Sequence, residues 1–223
     1  EDFKRWRKEG LRADLIRAAY DGDIEWIHEL IKKGADINTK APREPMLALS
    51  VACRYGNLEL VKFLIEKGAD VNYSDWNGLT SLHVACGMDH IASYPVPYDI
   101  NHPEIVKLLL NAGADITALY HGSDGSLSHS AKDFAQMSQR GEIENILQSH
   151  LDKKLLEAVT KYNGYPEEVE RLLVAGGNVN LRNNNGETLL SIAVMDGRFW
   201  VVEILLENGA DVHAELKIGK NAL

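Results

Sequence analysis

An all-α repeat solenoid is the fold class this sequence predicts, and three observations carry the prediction. One phrase recurs along the chain as Gly34-Ala35-Asp36-Ile37-Asn38, Gly68-Ala69-Asp70-Val71-Asn72, Gly113-Ala114-Asp115-Ile116-Thr117, Gly176-Gly177-Asn178-Val179-Asn180 and Gly209-Ala210-Asp211-Val212-His213, its first two copies 34 residues apart. Ala18, Ala52 and Ala193 each stand 16 residues before the leading glycine of their phrase, with Gly22, Gly56 and Gly197 between. Apolar residues recur at helical spacing on both sides of that intervening glycine, which reads as two short helices joined by a tight turn.

Composition suits such a stack. Apolar residues make up 45 % of the chain, enough for a continuous core. No apolar run approaches the roughly 18 residues a membrane span needs, and Glu1 to Gly10 carry charge where a signal peptide is apolar. The expectation is a soluble protein in the cytoplasm or another intracellular space, or in a host cytoplasm if it is a secreted effector. With 24 Lys and Arg against 33 Asp and Glu, the net charge of −9 repels a phosphate backbone, so no nucleic acid partner is expected. Two thiols, Cys53 and Cys86, are too few for a disulfide framework or a cysteine zinc site. The chain does not start with Met and reads as a trimmed fragment.

Taken in order, residues 1–10 form an N-terminal extension or cap, in which Phe3 and Trp6, one helical turn apart, cover the flank of the first repeat. Repeats 1 and 2 follow. In the second, Leu58, Val61, Leu64 and Ile65 are the predicted buried stripe of the second helix, and Gly68 stops it in the left-handed conformation that costs glycine least. Repeat 3 opens with Asp75-Trp76-Asn77-Gly78-Leu79-Thr80-Ser81-Leu82-His83-Val84-Ala85, in which Asn77-Gly78 suits a tight turn and Thr80 caps the helix.

From these residues the chain resembles the ankyrin family, whose pattern begins Gly-Thr-Pro-Leu-His-x-Ala and closes Gly-Ala-Asp-x-Asn. The resemblance runs from about Leu11 to Leu223. It implies an elongated, curved stack with short β-hairpin loops, and a role for His83 as a tie to the hairpin backbone. Repeat 6, Gly186-Glu187-Thr188-Leu189-Leu190-Ser191-Ile192-Ala193, has serine in place of that histidine.

Three departures interrupt the pattern. Between its helices repeat 3 carries about 12 extra residues within 88–100, including Tyr94 and Tyr98, which either tuck against the stack or reach a partner. Repeat 4 has a longer hairpin, Tyr120 to Ser126, then Ser130 with Asp133 as a capping box. After Ile146 the closing phrase is missing, while Ile143, Leu147, Leu151, Leu155 and Val159 recur every fourth position, as in one long helix. The stack either continues there with one hairpin missing or bends. The expected organisation is therefore repeats 1–4 in residues 11–150, then repeats 5 and 6 in 151–223 with the start of a seventh at Gly219-Lys220-Asn221-Ala222-Leu223.

No catalytic arrangement is found by motif, and the histidines are scattered, so neither an enzyme nor a metal or other cofactor is expected. Cys53 and Cys86 hold equivalent positions in neighbouring repeats, farther apart than a disulfide allows, and read as core residues. Glu25, Glu59, Glu104, Glu142, Glu144, Glu167, Glu168 and Glu203 are placed in the first turns of second helices, on a solvated back. Trp200 stands where Glu25 and Glu59 stand, and is expected to pack on a neighbouring repeat; the competing reading is contact with sequence beyond it.

The function implied is a protein–protein interaction scaffold or adaptor, monomeric, binding another protein through the concave face. The alternative is a regulatory or substrate-targeting arm of a larger enzyme, channel or bacterial effector. At the family's ligand-facing positions, hairpin tips and ends of first helices, the large side chains are Tyr20, Arg43, Met46, Arg54, Tyr55, Tyr73, Trp76, Leu79, Met88 and Tyr120, beside Tyr94 and Tyr98. Repeat 6 offers only Asn184, Asn185, Glu187, Met195 and Asp196. Trp76 and Tyr55 are the expected anchors.

Overall fold

The computed structural model describes residues 2–40, 46–87, 102–122, 128–161 and 166–214, and of residues 2–9 the backbone alone. Its elements are α1 (Asp2–Asp21), α2 (Ile24–Lys32), α3 (Ala48–Arg54), α4 (Leu58–Glu66), α5 (Ser81–Cys86), α6 (His102–Asn111), β1 (Leu119–His121), β2 (Ser128–Ser130), α7 (Ala131–Met137), α8 (Gly141–Thr160), α9 (Pro166–Val174), α10 (Leu189–Met195) and α11 (Phe199–Glu207). The chain divides after Ile146 into two compact units.

In the first unit α1, α3, α5 and α7 pack in succession as first helices, with α2, α4 and α6 paired to them. Local chemistry starts several of these helices. Asp23 and Asn57 accept the Trp26 and Leu60 amides at 2.8 and 3.0 Å, and Thr80 and Ser130 form capping boxes with His83 and Asp133. Gly68 follows α4 at φ 87°, as the sequence predicts. The position held by Gly22 and Gly56 is held in repeat 4 by Gln139, also left-handed at φ 56°.

Leu60, Val61 and Leu64 are fully buried, whereas Leu58 and Ile65 are half-buried, so the α4 stripe includes Leu60 and the two predicted flanking residues lie at its edges. Burying such a side chain stabilises by about 1.5–3 kcal/mol. Phe3 and Trp6 have side chains outside the described residues; the backbone of their segment is helical and continuous with repeat 1.

The closing phrases are laced together. Asn38 donates from its amide to the Gly68 carbonyl and accepts from the Asp70 amide, at 3.2 and 2.8 Å; Asn72 repeats this on Gly113 and Asp115, at 2.9 and 2.7 Å. Cys53 and Cys86 are free and buried, and burial pushes both thiols far up.

Helix α8 runs unbroken through the missing hairpin, with Ile143, Leu147, Leu151, Leu155 and Val159 all buried. In the second unit α9 and α10 pack on α11. Asp152, on α8, accepts the Asn178 amide at 3.2 Å and so does the work of the absent closing asparagine. Arg198 donates to the Thr160 and Lys161 carbonyls at the end of α8, just as Arg140 in the first unit donates to the Ala85 carbonyl at the end of α5.

Candidate functional site

The turn before α5 is built on Asp75. Its carboxylate accepts the Asn77 and Leu79 amides, both at 2.9 Å, and its backbone pairs with Leu79 and Gly78. Gly78 has φ +82°, and a Cβ there would meet the Leu119 carbonyl at 2.2 Å, so only glycine lets the next hairpin approach. The His121 amide then donates to Asn77 O at 2.7 Å. With its neighbours held on both sides, Trp76 projects from the tip, 82 % exposed.

His83 ties this hairpin to the next repeat. The Thr80 amide and hydroxyl donate to Nδ1 at 3.2 and 2.9 Å, which leaves Nε2–H to donate to the Ala118 carbonyl at 3.2 Å. Burial is the main reason its pKa falls to about 4, partly opposed by the Ala118 and His129 carbonyls, so the ring is neutral at pH 7.

The remaining predicted residues separate into three groups. Met46, Arg54 and Leu79 are buried, which corrects their reading as surface contacts: Met46 and Leu79 stand just before α3 and α5 and Arg54 ends α3, in a row of first helices that pack on one another. Tyr55, Tyr73 and Tyr120 are half-buried against their own stack. Tyr55 meets Tyr20 edge-on at 5.7 Å, Lys40 Nζ lies 4.8 Å from the Tyr73 ring centre, and Tyr120 packs edge-on against Phe134 at 5.7 Å. Arg43, Met88, Tyr94 and Tyr98 lie outside the described residues.

Trp200 does not pack away on a neighbouring repeat. It is 72 % exposed, at the edge of a groove between α9 and α11. Glu203 is also corrected: it lies in the middle of α11, whose first turn has no acidic residue. Val194 and Met195, where repeat 2 buries Cys53 and Arg54, are 58 % and 61 % exposed. Alignment on the closing glycine contains the signal for both differences, because it sets Trp200 over Glu59 and Glu203 over Lys62.

Among the described residues no group of three or more His, Cys, Asp or Glu is placed to hold a metal, and no helix is long and apolar enough to cross a membrane. Two plant proteins are similar to this chain. The E3 ubiquitin-protein ligase KEG of Arabidopsis thaliana is 27 % identical over 208 residues, 92 % of this chain and 13 % of that protein. Protein VAPYRIN-LIKE of Medicago truncatula is 32 % identical over 82 residues, 32 % of this chain and 18 % of that protein. The chain thus spans less than a fifth of either relative. The family profile described as ankyrin repeats (3 copies) matches residues 15–120 and 139–223. With the repeated hairpins, paired helices and laced closing phrases, that match over most of the chain makes it a member of the ankyrin-repeat family.

Proposed function

We propose that this chain is an intracellular protein-interaction module that binds a partner protein across repeats 2 and 3, with Trp76 as the principal anchor. Ankyrin repeats are typically protein-interaction modules. The observation that carries the finer reading is a tryptophan 82 % exposed on a turn whose backbone is already held. A rigid tip lowers the entropy lost on binding, and tryptophan is among the commonest hot-spot residues. Tyr20, Tyr55, Tyr73 and Tyr120 are each partly exposed and are the further aromatic contacts of this reading.

The test is affinity purification of the whole chain and of Trp76→Ala from candidate cells, followed by mass spectrometry. A partner recovered by the parent should be lost or bound at least about 2 kcal/mol more weakly by the variant, with the thermal melt unchanged. Full capture by Trp76→Ala, or a loss matched by unfolding, defeats the assignment. Tyr55→Ala is the less clean probe, because it also removes the ring contact with Tyr20, worth about 0.5–1.5 kcal/mol.

A second reading is favoured by the ligase relative, of which the matched stretch is a small part: the array serves as the substrate-targeting arm of a larger enzyme. The full open reading frame discriminates, since a catalytic segment in it supports this reading and a frame made of repeats alone supports the first.

A further inference from the structure

The back of the second helices carries a charge pattern that changes along the chain. In repeat 2 Lys62 lies 2.7 Å from Glu59, three residues earlier on α4. In repeat 3 Lys107 holds the same place, 3.6 Å from Glu104 and 4.0 Å from Glu142. Counted from the closing glycine, Trp200 occupies the position of Glu59 and Glu104, and Glu203 that of Lys62 and Lys107. Repeat 5 keeps the glutamate as Glu167 but has Glu170 where the lysine stood. Both repeats of the second unit thus carry glutamate where repeats 2 and 3 carry lysine and repeat 1 carries His28, and repeat 6 adds an indole.

The two changes in repeat 6 meet in one place. Trp200, Glu203 and Glu207 of α11 and Glu167 of α9 line a groove of about 330 Å³, together with the apolar Pro166 and Ile204. Among the described residues no ion pair engages Glu167, Glu203 or Glu207. Glu203 and Glu207, one helical turn apart, repel each other. An exposed indole is the aromatic face that attracts a cation most strongly, and the acidic rim turns away phosphate and carboxylate ligands.

We propose that this groove binds a lysine- or arginine-bearing extended segment of a partner protein, whose cation stacks on Trp200 among the Glu167, Glu203 and Glu207 carboxylates. The aliphatic stem of that side chain lies along Pro166 and Ile204. The partner thus restores in trans the positive charge that Lys62 and Lys107 supply within the first unit. This surface is independent of the Trp76 hairpin, and failure of one leaves the other standing.

The probe is an end-blocked, fluorescently labelled octapeptide of alternating arginine and serine, titrated onto the full chain by anisotropy. The double variant W200E/E203K rebuilds the glutamate–lysine pair of repeat 2, so the fold tolerates it, and it should weaken binding at least about ten-fold. Glu66→Gln makes the same net-charge change on the back of repeat 2 and should leave the affinity unaltered. Thermal melts of both variants should match the parent, and Trp200→Ala supplies a second loss-of-binding variant should the double one melt early. Rising salt should weaken the parent complex. Undiminished binding by W200E/E203K and Trp200→Ala, an equal loss in Glu66→Gln, no saturable binding at millimolar peptide, or a signal that tracks self-association of the chain in sedimentation overturns the proposal.

Discussion

The hairpins of repeats 3 and 6 share one backbone design and differ in what they display. Asn183 accepts the Asn185 and Glu187 amides at 2.9 and 3.0 Å, as Asp75 accepts those of Asn77 and Leu79. The tip residue is then Trp76 in one and Asn184 in the other. Inside the following helix His83 reaches across to the Ala118 carbonyl, whereas Ser191 turns back to the Thr188 carbonyl of its own helix at 2.8 Å. On the back the order reverses, with a paired Glu59 and Lys62 in the first unit and Trp200 beside Glu203 in the second. The turn residues set the geometry, and the positions between them are left free to carry binding chemistry.

Converting His83 to serine, so that repeat 3 matches repeat 6, should have the largest effect. The substitution leaves the Ala118 carbonyl without that donor and opens space beside Phe134, whose ring lies 5.8 Å from the imidazole. A loss of about 3 kcal/mol is expected in urea unfolding, against less than about 1 kcal/mol for Ser191→Ala. Equal costs would break the contrast between the repeats.

Acid sharpens the same contrast. The folded-state pKa of His83, about 4, lies below the usual 6.5. As pH falls through 6.5 the unfolded chain gains a proton that the folded chain refuses, so stability declines until the folded ring itself protonates near pH 4. Going from neutral pH to pH 5 should cost about 2 kcal/mol through this residue. His102 and His150 are also lowered, mainly by burial, and act in the same direction. The His83 part is therefore read as the difference between parent and His83→Ser in urea melts at the two pH values. Identical pH losses would count against it.

Asp75→Ala and Asn183→Ala each remove the acceptor of two turn amides and should cost about 1–2 kcal/mol. Faster hydrogen exchange is expected at Asn77 and Leu79 in the first and at Asn185 and Glu187 in the second. A loss confined to one variant would show that the two turns are not held alike. The smallest effects belong to the exposed tips and back: Trp76→Asn, Asn184→Trp and Trp200→Glu should each stay within about 0.5 kcal/mol of the parent in chemical denaturation. A larger cost would mean that these side chains serve the fold.

The repeat period, the stop at Gly68, the caps at Thr80 and Ser130 and the long helix through Leu147 and Leu151 were all legible in the sequence. Each rests on contacts within a few residues or on a motif repeated in register, whereas the His83 tie, which reaches 35 positions to Ala118, was implied only by the family resemblance. The candidate surface was legible only in part. Side-chain size and position pointed to Trp76 correctly as an exposed group, but they pointed equally to Met46, Arg54 and Leu79, which are buried. Residue type does not say whether a neighbouring helix covers a side chain at either end of a first helix.

By itself, then, the sequence determined the unit and its copies, because helix spacing, capping and left-handed glycines are local and each copy independently repeats the same chemistry. Only the tertiary structure decided which large side chains are spent inside the stack and which remain outside it. It also set Asp152 in the role of a closing asparagine and gathered Glu167, Trp200, Glu203 and Glu207 on one groove. The reason is that contacts between repeats join residues some 30 or more positions apart, as in the hydrogen bond of Asn38 to Gly68 and the groove shared by Trp200 and Glu167, and such pairs exist only once one repeat is laid against the next.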